Sequence, residues 1–288
     1  MSQSTYTLRC VERAVNYMSD ETRDGNTPSL DRIANAAGLS KFHFNRVYKL
    51  ATGETPQETL TRFKLARATD QLKNPDKSVT DVAFSVGYGS SQAFAKALKR
   101  VLATSASSIR TSEERLAQAI ETLVVPSMTE SSTRSDLSIE IAKLEPFEAI
   151  AMRTDGTYPS LNVVYEALFE AAGGPQFVEA ILGQPFGDIE LDLANTLRFD
   201  CALKLSSDAS VNSQNQARMR VLEGPYLLAR HTGTYDRLPE SIDRLYLAAL
   251  SQDEVQIGDA PLLFHYLDDP ESTDEASLRT DIYLPVNA

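Results

Sequence analysis

The chain repeats itself twice, and each repeat restricts what its half of the sequence can fold into. SLDRIANAAGLSKFHFNRVYK, from Ser29 to Lys49, is echoed about fifty residues later by SVTDVAFSVGYGSSQAFAKALKR, from Ser78. Val82-Ala83, Gly87, Phe94 and Leu98-Lys99 stand for Ile33-Ala34, Gly38, Phe44 and Tyr48-Lys49, with one extra residue in the second turn. A fixed internal period marks a duplicated supersecondary unit. In each copy apolar residues recur at helical spacing up to a glycine, which suits a sharp turn at a helix end. A second helix follows, headed by Ser40 as its cap in the first copy and carrying a polar-basic face. This is the helix-turn-helix pattern, whose second helix can enter a DNA major groove.

TPQETLTRFKLARATDQLKN lies between the copies, and its Leu60, Phe63, Leu65, Ala66 and Leu72 predict a long amphipathic helix joining them rigidly. Two such units on one rod can address successive major-groove faces about one helical turn apart. A first helix, about Thr7 to Met18, is expected to pack through Leu8, Val11, Val15 and Met18.

The second repeat lies further on. LEPFEAIAMRTDGTYPSL, from Leu144, is echoed by LEGPYLLARHTGTYDRLPES, from Leu222, so that Gly156-Thr157-Tyr158 matches Gly233-Thr234-Tyr235 and Arg153 matches Arg230. Each copy reads as a strand, a glycine turn and an amphipathic helix; LRFDCALKL and RTDIYLPV read as later strands. That order predicts an α+β domain with an antiparallel sheet covered by helices on one side. A duplicated half-domain leaves a groove at its pseudo-two-fold seam, a frequent place for ligands.

Charge divides the same way. Up to Ser112 there are 16 basic and 10 acidic residues; beyond it, 12 and 30. The net charge of −12 therefore hides a basic module joined to an acidic one. Attraction to phosphates needs local positive charge only. PSMTESSTRSD, from Pro126, is polar and Pro-broken, and reads as the core of a linker. The expected division is a DNA-binding domain at 1–112, a linker at 113–137 and a small-molecule domain at 138–288.

The stretch from about Ser29 to Arg110 resembles the DNA-binding domain of AraC-type transcriptional regulators, through IANAAGLSKFHFNRVYKLATGETP, FKLARATDQL and VAFSVGYGSSQAFAKALKR. The resemblance implies double-stranded DNA as partner and RNA polymerase as a further candidate. It places Ser40, Lys41, Phe42, Asn45 and Arg46 of the first unit, and Ser90, Ser91, Gln92 and Lys96 of the second, at the DNA. Asn and Gln pair with adenine and Arg with guanine through two hydrogen bonds each, whereas Lys96 suits a base or a phosphate. Phe42 fits base contact or core packing equally. Family members carry Arg at Lys64, Phe at Leu98, and Gly, Pro and Tyr near Ala103, Ala106 and Ile109.

The region from Ile139 to Val286 resembles the GyrI-like effector-binding domain, through both G-T-Y turns, PLLFHYLDDP and DIYLPV. The resemblance implies an aromatic cleft, with Tyr158, Tyr165, Phe169, Phe264, Tyr266 and Tyr283 as candidates, each equally suited to the core. Many such domains place a Glu where Phe264 stands. Phe offers apolar area and only a weak cation–π face, so a neutral or apolar effector is expected.

Several functions are set aside. Some GyrI-like domains resemble hydrolases, but the position for a general base holds Phe264, and no nucleophile elbow, P-loop or dinucleotide fingerprint is present. The histidines show no HxH or HExxH spacing, so neither metal nor cofactor is expected. Cys10 and Cys201 are expected as free thiols in the cytoplasm, and no apolar run is long enough to span a bilayer. An alternative is an acidic domain that binds a protein partner in place of a small ligand.

Overall fold

A computed structural model describes residues 5–124, 137–156, 160–186, 197–209 and 217–287. The chain forms two compact units: Thr7–Gly38 with Tyr48–Ser132, and Thr133–Ala288 with Met1–Tyr6 and Leu39–Val47. The segment 39–47 thus belongs to the same unit as the C-terminal residues.

The helical unit is built from α1 (Thr5–Arg23), α2 (Leu30–Ala37), α3 (Phe44–Thr52), α4 (Pro56–Leu72), α5 (Val79–Ser85), α6 (Ser91–Leu102), α7 (Ala106–Thr111) and α8 (Glu113–Val124), with α1 and α3 crossing its sequence limits. Capping fixes most of the starts. Ser29, Thr55, Ser78, Ser90 and Ser105 each accept from a backbone N–H three residues on, and Thr55 with Glu58 completes a capping box ahead of Pro56. Gly38 ends α2 at φ 72°, as its place in the turn predicts. α1 buries Thr7, Cys10, Ala14, Met18 and Thr22; of the expected stripe Met18 is buried, Val11 and Val15 are half-buried and Leu8 is exposed.

The stretch 113–124, which lies before the Pro-broken core of the linker and suits helix or partly extended chain, is helix α8. Its Ala119 and Leu123 are buried in one cluster with Leu65, Leu72, Val82, Phe94 and Leu98, and Arg62 Nη1 donates to the Leu123 carbonyl at 3.1 Å. Amphipathic spacing in EERLAQAIETLV supplies that apolar face. The rest of the expected linker, through Asp136, lies outside the described residues.

In the other unit the strands are β1 (Ile139–Leu144), β2 (Phe147–Gly156), β3 (Val178–Pro185), β4 (Leu197–Leu205), β5 (Ala217–Val221), β6 (Gly224–Thr232), β7 (Gln256–Ile257), β8 (Leu263–Tyr266) and β9 (Arg279–Asn287). Helices α9 (Ser160–Ala171) and α10 (Leu238–Leu250) follow β2 and β6. All pairings are antiparallel, in the order β1-β6-β9-β8-β3-β4-β2-β5, with β7 also on β9. Exchanging β1, β2, β3, β4 for β5, β6, β8, β9 reverses this order onto itself. The duplication read from the G-T-Y turns is therefore a pseudo-two-fold whose seam is the β3–β8 pair. The repeat-related arginines are equivalent too: Arg153 grips Asp200 across β2–β4 at 2.7 and 2.9 Å, and Arg230 grips Asp281 across β6–β9 at 2.7 and 2.8 Å.

Candidate functional site

The second helix of the first copy begins later than expected, at Phe44, because Ser40 heads a tight turn. Its carbonyl accepts from the His43 and Phe44 N–H groups and its Oγ from Phe42 N–H. Within the unit that holds 39–47, His43 is buried, with Nδ1 2.5 Å from the Tyr246 hydroxyl and Nε2 2.7 Å from the Ala260 carbonyl. Arg46 is 5% exposed: it donates to the Pro239 carbonyl at 3.3 Å and pairs with Asp243 of α10. Phe42 is half-buried and meets Phe186 edge-on at 5.6 Å, while Lys41 stays exposed with its Nζ over the Phe42 ring, and Asn45 is half-buried. Arg46, expected on an open face, is thus held inside, because a carboxylate and a carbonyl of α10 satisfy it.

In the second copy the polar face is open. Ser90 caps α6, Ser91 is half-buried, and Gln92, Lys96, Lys99 and Arg100 are exposed, while Phe94, Ala97 and Leu98 face the core. The helix ends on Ala103 at φ 51°, a left-handed conformation that Gly53 adopts at the matching point after α3. The glycine usual in the resembled family would relieve this position.

At the seam, Gly183 pairs with Phe264. A Cβ on Gly183 would lie 2.4 Å from Phe199 Cζ, so only glycine lets that ring lie over the strand. Phe264 and Phe199 are both fully buried, 6.3 Å apart. Phe264 is therefore core and not an exposed ring. Tyr266 stands on the same side, as strand alternation predicts, and its ring meets Tyr165 at 6.2 Å, Tyr235 at 5.5 Å and Phe264 at 6.4 Å. The Tyr165 hydroxyl donates to the Leu182 carbonyl at 2.7 Å. It also bonds Cys201, although burial dominates and raises that thiol's pKa to about 12.

Phe169 sits half-buried one turn along α9 from Tyr165. Tyr283 lies on the other face, edge-on to Tyr226 at 6.1 Å, because β8 pairs Phe264 with Ile282 and the next residue points away. Tyr158 lies outside the described residues.

Tyr235 was missed as a site residue, although it occupies in the second G-T-Y turn the place that Tyr158 holds in the first. Its pKa is raised by burial first, then by Asp268 and Asp269. Asp268 is committed to Arg279 through contacts of 2.7 and 2.9 Å, and Asp269 caps its own turn at Glu271 N–H. The aromatic cluster is thus backed by apolar rings, and its nearby acids already have partners. Among the described residues, no group of three or more His, Cys, Asp or Glu is placed to hold a metal, and no helix is long and apolar enough to cross a membrane.

Residues 137–287, over half of the chain, match the model of the GyrI-like small molecule binding domain, and residues 33–112 match that of a helix-turn-helix domain. The chain belongs to the GyrI-like family, with an AraC-type helix-turn-helix region before that domain. The AraC-type region is 38% identical over 81 residues to the MmsAB operon regulatory protein of Pseudomonas aeruginosa, covering 28% of this chain and 26% of that one. It is 36% identical over 88 residues to the HTH-type transcriptional activator RhaS of Citrobacter koseri, covering 31% and 32%. The probable transcription factor PqrA of Proteus vulgaris is 32% identical over 100 residues, covering 35% of this chain and 82% of PqrA. The chain thus spans about a third or less of the length of the first two relatives. For the GyrI-like region, the crystal structure of the EcmrR C-terminal domain aligns with a TM-score of 0.43 at 15% identity, over 53% of this chain and 99% of that one.

Proposed function

We propose that the protein is a sequence-specific transcriptional regulator whose DNA affinity is set by a small effector at the β3–β8 seam. The observation that carries this reading is the contrast between the two recognition helices. α6 presents Gln92 and Lys96 to solvent, whereas Arg46 is held by Asp243 and the Pro239 carbonyl. DNA reading by the first copy requires Arg46, with Ser40, Lys41, Phe42 and Asn45, to leave that arrangement. Ser90, Ser91, Gln92 and Lys96 of the second copy are ready without it.

An effector that favours the released state over the held one shifts the population between them; one with equal affinity for both shifts nothing. The Tyr165, Tyr235 and Tyr266 rings beside the buried Phe264 and Phe199 suit a neutral, largely apolar ligand, since the adjacent acids are already satisfied. RNA polymerase is a partner only if the bound regulator activates.

The experiment is selection from a random DNA library with the full chain, at several salt concentrations, beside Arg46→Ala and Asp243→Asn. A bipartite site about one helical turn across, with one half relaxed in Arg46→Ala, supports the reading. No enrichment by wild type or by Asp243→Asn, even at low salt, removes it.

A further inference from the structure

Apart from the aromatic seam, a cavity of about 340 Å³ opens where the end of β6 meets the first turns of α10, close to Leu137. It contains none of the seam tyrosines. Its walls are basic: Arg230, Arg237 and Arg244 line it, beside His231, Ser241 and, among the described residues, one carboxylate, Glu240.

The partners of these groups show what remains free. Arg230 turns its Nε and Nη2 to Asp281, leaving Nη1, and Arg237 gives Nη2 to Glu240 at 3.1 Å. His231 and Ser241 satisfy each other, with Nδ1 2.9 Å from the Ser241 oxygen and Nε2 3.0 Å from the Thr234 carbonyl. Because that carbonyl only accepts, Nε2 donates to it, and Nδ1 and the Ser241 hydroxyl are committed to each other. Arg244 stands apart. Its Nε is buried from solvent without a hydrogen-bond partner, and no carboxylate pairs with it among the described residues. With that nitrogen out of water and unpaired, the guanidinium carries a desolvation cost, and an oxyanion in the cavity beside it offsets part of that cost by charge attraction.

We propose that this cavity is an anion-binding site, taking a phosphate or the carboxylate end of a small organic acid, with Arg244 as its principal donor and Arg237 and Arg230 in support. The volume is at the low end for small-molecule sites, roughly 300–1,000 Å³, so the ligand is compact. A second ligand of opposite character to the apolar effector would then report to the same α10 that holds Arg46 through Asp243.

The test uses the full chain, titrated with sodium phosphate, with sodium succinate and with sodium chloride at matched ionic strength. Calorimetric Tm and isothermal heats are the readouts, and neither depends on DNA binding. The expected result is saturable stabilisation by phosphate, succinate or both beyond that of chloride, with the effective anion identifying the source. Arg244→Gln is expected to weaken it about tenfold or more, and Arg218→Gln, whose exposed pair with Glu148 lies outside the cavity, to leave it unchanged. Should Arg244→Gln fold poorly, Arg237→Gln takes its place with the same expectation. Equal response to chloride, or full binding by the folded cavity variant, overturns the proposal.

Discussion

His43 accepts a hydrogen bond from the Tyr246 hydroxyl at 2.5 Å while donating its other ring N–H to the Ala260 carbonyl at 2.7 Å. The carbonyl can only accept, so the proton sits on Nε2 and the ring is neutral. Burial lowers its pKa to about 4, against the opposing pull of the Ala260 bond and of Asp259. A histidine whose folded pKa lies below its free value of about 6.5 stabilises fully above 6.5 and loses that contribution as pH falls toward 4. The packing of Leu39–Val47 is therefore expected to loosen by about 2 kcal/mol between pH 7 and pH 5. Amide exchange across those residues, corrected for intrinsic rates, measures it. A profile identical in His43→Gln would remove histidine as the cause.

The Arg46–Asp243 pair makes a second prediction. Arg46 is almost fully buried while the Asp243 side chain is about one-third exposed. Asp243→Asn weakens the held arrangement without removing the side chain. Affinity for the selected DNA site is expected to rise about tenfold, inside the ~1–3 kcal/mol typical of coupling between sites. Fluorescence anisotropy with labelled duplex reads it. Arg46→Ala in the same background should erase the gain; a gain that survives would place the effect elsewhere.

Ala103 carries a left-handed backbone where the first copy has Gly53. Replacing it by glycine removes a steric cost of roughly 1–2 kcal/mol, partly offset by the greater freedom of unfolded glycine. Ala103→Gly should therefore stabilise the helical unit by about 0.5–1 kcal/mol, seen as a raised denaturation midpoint. An unchanged or lower midpoint would mean that the cap relaxes without cost.

Gly183 supplies the opposite case. With Phe199 Cζ at 2.4 Å from a would-be Cβ, Gly183→Ala is expected to cost about 1–3 kcal/mol through overpacking. Phe199→Leu, which shortens the intruding ring, should recover part of that loss in the double variant. Additive losses would contradict the contact.

Much of this was legible in residue order. Duplication showed in Gly38 and Gly87 and in the two G-T-Y turns, because a glycine that must bend the chain leaves its mark wherever the unit recurs. Periodicity named Leu60, Phe63, Leu65, Ala66 and Leu72 for one face of α4; Leu60, Leu65 and Leu72 are buried, Phe63 is half-buried and Ala66 is exposed. Alternation put Tyr266 beside Phe264, but the same rule sends Tyr283 to the far face once β8 and β9 are in register. That register depends on a partner strand, which no single segment encodes.

Residue order carries local information: helix starts from serine and threonine caps, turns from glycine, faces from apolar spacing, and the number of copies. These rest on interactions within a few residues of the chain. Which candidates meet, and which remain available, follows from packing across the folded chain. Asp243, Tyr246 and Ala260 lie about two hundred residues from Arg46 and His43, yet their bonds turn an expected DNA-facing arginine into a buried one. The seam likewise exists because β3 and β8 pair across the pseudo-two-fold, and Phe264 is buried there because Gly183 opposite leaves Phe199 room to cover the strand. Burial and pairing of this kind are properties of contacts distant in sequence, and a sequence pattern carries their components without saying which will touch.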